Sequence, residues 1–328
     1  IGFFAILELV GGLAALSTEG ALPRGADGLA FDVPRTRFDV DHRFIELPSG
    51  ARIHYIDEGA GPTLLFLHGN PAWSFQWRDL IHALQSSYRC VALDYPGFGL
   101  SDAASGFGFT PREQSVVVEE FVDQLQLKDL TLVVQDWGGP IGLGFAGRHP
   151  ELVRRVILGA TWTSPTTIDM ARGKFSLIAG GPVGEFAQLN FNALASFALE
   201  SSVVRSLPEE VSDLYLRPFR PLNRRGIAAF YPGQIRAATA YFRELEGNLP
   251  RLLAKPALIF WPLQDPGSTS ADRQRFEATF PKHKTIELPN ASHFFFEDAA
   301  QLVVSEIRDF VPLDAPRSVD ASPQRGPH

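Results

Sequence analysis

The stretch Leu130-Thr131-Leu132-Val133-Val134-Gln135-Asp136-Trp137-Gly138-Gly139 decides how this chain is read. Its first six residues form an apolar, β-branched run of strand length, as a buried parallel strand does. A carboxylate, an indole and two glycines follow without a linker. A strand turning this sharply into a glycine-started helix holds Asp136 at the tip of the turn. There it faces backbone N–H groups and a helix N-terminus. Turns of this kind, at the carboxyl edge of an α/β sheet, are where nucleophiles are placed. The serine form of the motif, Gly-x-Ser-x-Gly, occurs nowhere in the chain. A serine needs a base to activate it, whereas an aspartate is ionised at neutral pH and suits direct displacement at carbon. Aspartate also caps helices routinely, so this residue does not settle the chemistry alone.

The same alternation extends outward in both directions. Phe44–Leu47 and Ala51–Asp57 read as two opening strands joined by a Pro48-Ser49-Gly50 turn. Thr63–Leu67 and Arg89–Leu93 are continuous apolar runs, the first ending at His68-Gly69. Pro111–Leu127 has a helical pattern, with Thr110 as its N-cap and Pro111 at the first position. Val153–Leu158, Ala257–Trp261 and Lys284–Leu288 supply three more strands. The expected fold class is α/β: a mostly parallel eight-stranded sheet flanked by helices. The stretch 163–232 breaks the rhythm, with Pro-containing turns and Phe175, Phe186, Phe191, Phe197, Phe219 and Phe230 spread through it. It is expected to be a helical lid over the carboxyl edge. Some of these rings should pack a small core and others line an apolar pocket. The resulting division is an N-terminal extension (1–42), a core (43–162 and 233–312), the lid (163–232) and a disordered tail (313–328).

Two residues give Asp136 partners. His293, in Pro289-Asn290-Ala291-Ser292-His293-Phe294, follows the last strand, and Asp265 follows the strand before it. Nucleophile, acid, histidine is the chain order of the triad on α/β-hydrolase folds. Of the eight histidines, His293 alone comes directly after the final strand. His68 reads as a loop-shaping residue and His149 as a helix-end residue before Pro150.

Composition narrows the remaining classes. The chain has 328 residues, 45% hydrophobic and 20% charged, which is ample for a substantial core. Net charge is −7 with basic residues scattered, which argues against a nucleic-acid face. Cys90 is the one cysteine, so no intramolecular disulfide forms; it reads as a buried strand thiol. No Cys/His spacing suggests a metal, and small-molecule chemistry in the cytoplasm is expected. Ile1–Leu16 is apolar apart from Glu8, too short for a membrane span and without the basic start of a signal peptide. It reads as a peripheral amphipathic segment that could join subunits in a homo-oligomer.

With these motifs in place, the sequence resembles the haloalkane dehalogenases. The residues carrying the resemblance are His68-Gly69-Asn70-Pro71, Asp94-Tyr95-Pro96-Gly97-Phe98-Gly99-Leu100-Ser101-Asp102, Gln135-Asp136-Trp137-Gly138-Gly139, Asp265 and His293. It runs from Arg43 to Pro312 and is weakest in the lid. The resemblance implies that Asn70 and Trp137 donate hydrogen bonds to the departing halide. It also implies that the backbone N–H groups of Asn70 and Trp137 form an oxyanion hole. Buried N–H donors are what an anion leaving into an apolar pocket requires. Gly159-Ala160-Thr161-Trp162 carries no carboxylate where some members place the acid. Asp265 then serves, a combination resembling the third subfamily. The implied substrates are a halogenated hydrocarbon and water, with no cofactor or metal. The rivals are an epoxide hydrolase, for which Tyr215, Tyr231 or Tyr241 would protonate the alkoxide, and a non-catalytic protein binding a hydrophobic ligand.

Overall fold

The computed structural model describes residues 23–25 and 28–313. The apolar segment 1–16 and the polar tail 314–328 lie outside the described residues. Eight strands are present: β1 (Arg43–Glu46), β2 (Arg52–Glu58), β3 (Thr63–Leu67), β4 (Arg89–Leu93), β5 (Leu130–Gln135), β6 (Val153–Gly159), β7 (Ala257–Pro262) and β8 (His283–Leu288). They form one sheet in the order β1-β2-β4-β3-β5-β6-β7-β8. β1 and β2 run antiparallel at one edge, and β4 through β8 are parallel. The expected fold class is therefore the observed one.

Strand side chains alternate between two buried faces. Leu65, Leu67, Leu132 and Val134 pack with Val118 and Phe121 of α2 (Pro111–Gln124) and Ile141 and Phe145 of α3 (Gly138–Arg148). Leu64, Phe66, Val133 and Phe260 face the other way, onto Ile81 of α1 (Arg78–Leu84) and Ile307 of the C-terminal helix Ala300–Phe310. Both faces being covered explains why these strands read as continuous apolar runs rather than alternating ones. α2 starts as its sequence dictates. Thr110 Oγ1 accepts from Glu113 N–H at 3.3 Å and Glu113 Oε2 accepts from Thr110 N–H at 2.9 Å, closing a capping box ahead of Pro111. Cys90 is buried in β4, and burial, with Glu58 and Asp57 nearby, pushes its thiol up to about 12.

Between β6 and β7 the chain is helical: α4 (Ala171–Ala179), α5 (Pro182–Phe191), α6 (Ala193–Ser201), α7 (Glu209–Leu216), α8 (Leu222–Ala237) and α9 (Thr239–Asn248). α8 runs through Pro232, so residue 232 lies inside a helix. α10 (Ser270–Thr279), α11 (Phe295–Asp298) and α12 (Ala300–Phe310) complete the chain. Among the described residues no helix is long and apolar enough to cross a membrane.

Candidate active site

The site is built on the ends of β3, β5, β7 and β8. At the end of β5, Asp136 has a left-handed backbone with φ +50°. That conformation costs a non-glycine residue on the order of 1 kcal/mol, and three bonds hold it there. Its N–H donates to Ala160 O at 3.0 Å, and its carbonyl accepts from Gly139 N–H at 3.0 Å and Thr161 Oγ1 at 2.7 Å. The turn tolerates no larger residue beside it. A Cβ at Gly138 would lie 2.1 Å from Leu67 O, and one at Gly69 would lie 2.5 Å from the Asp136 side chain.

The loops after β7 and β8 bring the other two groups in. His293 Nδ1 lies 2.9 Å from Asp265 Oδ2, and His293 Nε2 lies 3.3 Å from Asp136 Oδ2. Gln135 Nε2 donates to His293 O at 3.2 Å, and Gln264 N–H donates to Ala291 O at 3.1 Å, so the loops are tied to β5 and to each other. Asp265 Oδ1 also accepts from Gly267 N–H at 2.8 Å, and Oδ2 accepts from Ser268 Oγ. Burial raises the Asp265 pKa, but His293, Ser268 and Gly267 together hold it below the ordinary carboxylate range. Burial likewise lowers the His293 pKa. The charges and hydrogen bonds of Asp265 and Asp136 outweigh it, raising the imidazole to about 10.

Asn70, on the loop after β3, donates its backbone N–H to Asp136 Oδ1 at 2.8 Å. Its side-chain Oδ1 is buried and has no hydrogen-bond partner. The Trp137 ring is 3% exposed and clamped edge-on by Trp162 and Tyr231, each with ring centroids 5.0 Å away. Asn70, Asp136 and Trp137 share a cavity of about 60 Å³, enough for one ion somewhat larger than water. A second cavity of about 380 Å³ is lined by Asn70, Asp136, Asp265 and His293 together with Phe175 and Phe197. All five residues singled out in the sequence thus converge on adjoining cavities.

The other expectations sort by position. His68 is buried, with Nδ1 2.8 Å from Gly69 O and Nε2 3.2 Å from Tyr95 N; burial lowers its pKa, and it shapes the loop bearing Asn70. Phe175 and Phe197 line the larger cavity, Phe219 is buried against Phe98, and Phe191 is 71% exposed. Tyr215 donates to Glu297 and Tyr241 to Pro140 O. Among the described residues, neither these two nor Tyr231 lines either cavity. Sequence reasoning missed three arginine ion pairs, two of which (those of the buried Arg172 and Arg224) join the inserted helices to the core. Arg172 pairs with Asp272, Arg224 with Asp102, and Arg78 with Glu297, which also accepts from Tyr215. Partners this far apart in the chain leave no local pattern to find.

The α/β-hydrolase fold family matches residues 62–300. Haloalkane dehalogenase 2 of Mycobacterium tuberculosis is 40% identical over 266 residues, covering 79% of this chain and 91% of that protein. The chain belongs to the haloalkane dehalogenase family of α/β-hydrolases. A cis-3-alkyl-4-alkyloxetan-2-one decarboxylase of Shewanella oneidensis is 31% identical, covering 80% of this chain and 86% of its own. The crystal structure of haloalkane dehalogenase DbeA from Bradyrhizobium elkani superposes with a TM-score of 0.75 at 24% identity, covering 83% and 97%, and shares the fold. The epoxide hydrolase and the non-catalytic binder are not favoured beside this family.

Proposed function

We propose that the protein hydrolyses haloalkanes to alcohol and halide, with Asp136 as nucleophile, His293 as general base and Asp265 as the acid that orients it. One Asp136 oxygen is held by the Asn70 N–H while the other faces His293 and the cavity, and this observation carries the reading. Asp136 attacks the halogen-bearing carbon in line, forming a C–O bond as the C–halogen bond breaks. The halide leaves with its electron pair toward the side-chain amide of Asn70 and the indole N–H of Trp137. The product is an alkyl ester on Asp136. His293 Nε2 then takes a proton from water, and the hydroxide adds to the ester carbonyl. The carbonyl oxygen is stabilised by the backbone N–H groups of Asn70 and Trp137. Collapse releases the alcohol and restores the carboxylate.

Charge makes the two steps consecutive. Before attack, His293 sits between two carboxylates and stays protonated. Esterification removes the Asp136 charge, lowers the imidazole pKa and frees the base when it is needed. Residues 163–232 act as the lid, with Phe175 and Phe197 over the reacting carbon. A cytoplasmic location belongs to the same proposal, as does self-association through residues 1–16. An unchanged size-exclusion profile after removal of residues 1–30 would reject the latter.

The decarboxylase relatives favour a second reading. The ring oxygen of an oxetan-2-one is a carboxylate leaving group on a saturated carbon, so Asp136 could displace it as it displaces a halide. The test is halide release from 1,2-dibromoethane and 1-iodobutane, beside a cis-3,4-dialkyl-oxetan-2-one and styrene oxide. Halide release lost in Asp136→Ala supports the proposal. Turnover of the oxetanone alone would replace haloalkanes as the substrate, and diol from styrene oxide alone would return the epoxide hydrolase.

A further inference from the structure

Arg172 lies in the first turn of α4 and reaches from the inserted helices toward the loop that carries Asp265. The residue is 7% exposed and borders the larger cavity. Nη1 donates to Gly267 O at 2.8 Å, and Nη1 and Nη2 meet the two oxygens of Asp272 at 2.7 and 3.0 Å. The guanidinium also stacks 5.2 Å from the Trp162 ring. Asp272 is in turn fixed by the capping box with Thr269 at the start of α10. A buried ion pair returns little net stability once both charges have been desolvated, so stability alone is a poor reason for it.

The position of Gly267 supplies another reason. Its N–H donates to Asp265 Oδ1 at 2.8 Å while its carbonyl accepts from Arg172. A single residue is therefore gripped by Arg172 on one side and by the Asp265 carboxylate on the other. From there the contacts run to His293 Nδ1 at 2.9 Å and from His293 Nε2 to Asp136 at 3.3 Å. The Arg224–Asp102 pair also joins the inserted helices to the core, but it bonds Ser101 O, away from this loop.

We propose that Arg172 is a positioning residue for ester hydrolysis: through Gly267 it fixes the Asp265 carboxylate, and so the aim of His293. This rests on Asp265 being the acid. The polar contacts of Arg172 go to Gly267 and Asp272 rather than to Asp136, Asn70 or Trp137, so the displacement step should depend on it less than ester hydrolysis does. Loss of Arg172 therefore separates the two half-reactions, which general loosening of the lid would not do.

The experiment is single-turnover kinetics on the full chain with 1-iodobutane. Iodide release follows alkylation, and decay of the butyl-enzyme by intact-protein mass follows hydrolysis. In Arg172→Met, alkylation should stay within about threefold while ester decay slows at least tenfold. The pH profile of decay should move to lower pH, because a looser Asp265 supports the imidazolium less. Arg172→Lys, which keeps one donor for Gly267 O, should recover part of the decay rate. It also substitutes for Arg172→Met if that variant fails to fold. Arg224→Met is the control for lid anchoring and should not separate the steps. Equal slowing of both steps in the Arg172 variants, or no slowing of decay, overturns the inference. Asp265→Asn in the same assay keeps the two questions apart. If it leaves ester decay unchanged, the acid assignment itself fails. If it slows decay and Arg172→Met does not, only the role of Arg172 fails.

Discussion

The pH dependence of the two half-reactions should differ, and the site's geometry gives the size of the difference. In the free protein His293 is flanked by Asp136 at 3.3 Å and Asp265 at 2.9 Å, and its pKa is raised to about 10. In the proposed mechanism, alkylation neutralises Asp136. At this separation a unit charge contributes about 4 kcal/mol at the effective dielectric of a protein near its surface. With 19% of the His293 side chain exposed to solvent screening, about half of that is taken. Either value lowers the proton affinity of the ester state by between one and three decades. Alkylation, read as the first halide released in rapid-quench experiments, should be nearly flat with pH between mild acid and about 9. Decay of the preformed alkyl-enzyme needs neutral imidazole, so it should rise with pH and level off well below the free-protein value of about 10. A decay profile that inflects at the free-protein value would refute the reasoning, because esterification would then not have moved the base. So would a decay rate independent of pH.

Trp137→Phe keeps the ring clamped by Trp162 and Tyr231 but removes the indole donor. Loss of a hydrogen bond to an anion, about 1.5–3 kcal/mol, should lower kcat/KM roughly 10- to 150-fold and weaken halide binding in parallel. Unchanged halide affinity would count against the donor role. Gly138→Ala would set a Cβ 2.1 Å from Leu67 O, a backbone atom that cannot move aside. A loss above about 3 kcal/mol in denaturant unfolding is expected, and a near-neutral result would mean the turn is looser than drawn. His293 gains proton affinity on folding, so its contribution to stability is full below its ordinary value of 6.5 and disappears as pH rises through about 10. The Tm should decline across that window, and Asp136→Asn should flatten the decline.

The sheet was legible because its strands are covered on both faces. Leu64-Leu65-Phe66-Leu67 reads as one apolar run although alternate residues serve opposite cores. Helix α2 was legible from Thr110, Pro111 and Glu113, which act locally. Asp136, Asp265 and His293 were expected to meet because the fold puts such residues directly after strands, and the structure brings their side chains within hydrogen-bond or ion-pair distance. The inserted helices resisted reading for a physical reason. Their large side chains do not follow one core: Phe175 and Phe197 edge the cavity, Ile178, Val183 and Phe191 face outward, and Tyr215 and Phe219 are fully buried. No single helical periodicity describes that mixture. The arginine links were invisible for a different reason. Arg172 and Asp272 are 100 residues apart, and only the folded chain makes them neighbours.

The most direct test of the account is the mass of His293→Ala after exposure to 1-iodobutane, followed by peptide mapping. The account predicts one iodide per chain and a butyl group retained on the peptide containing Asp136, because the ester forms but its base is gone. Sustained iodide release with no adduct, or a butyl group on any other residue, would contradict it.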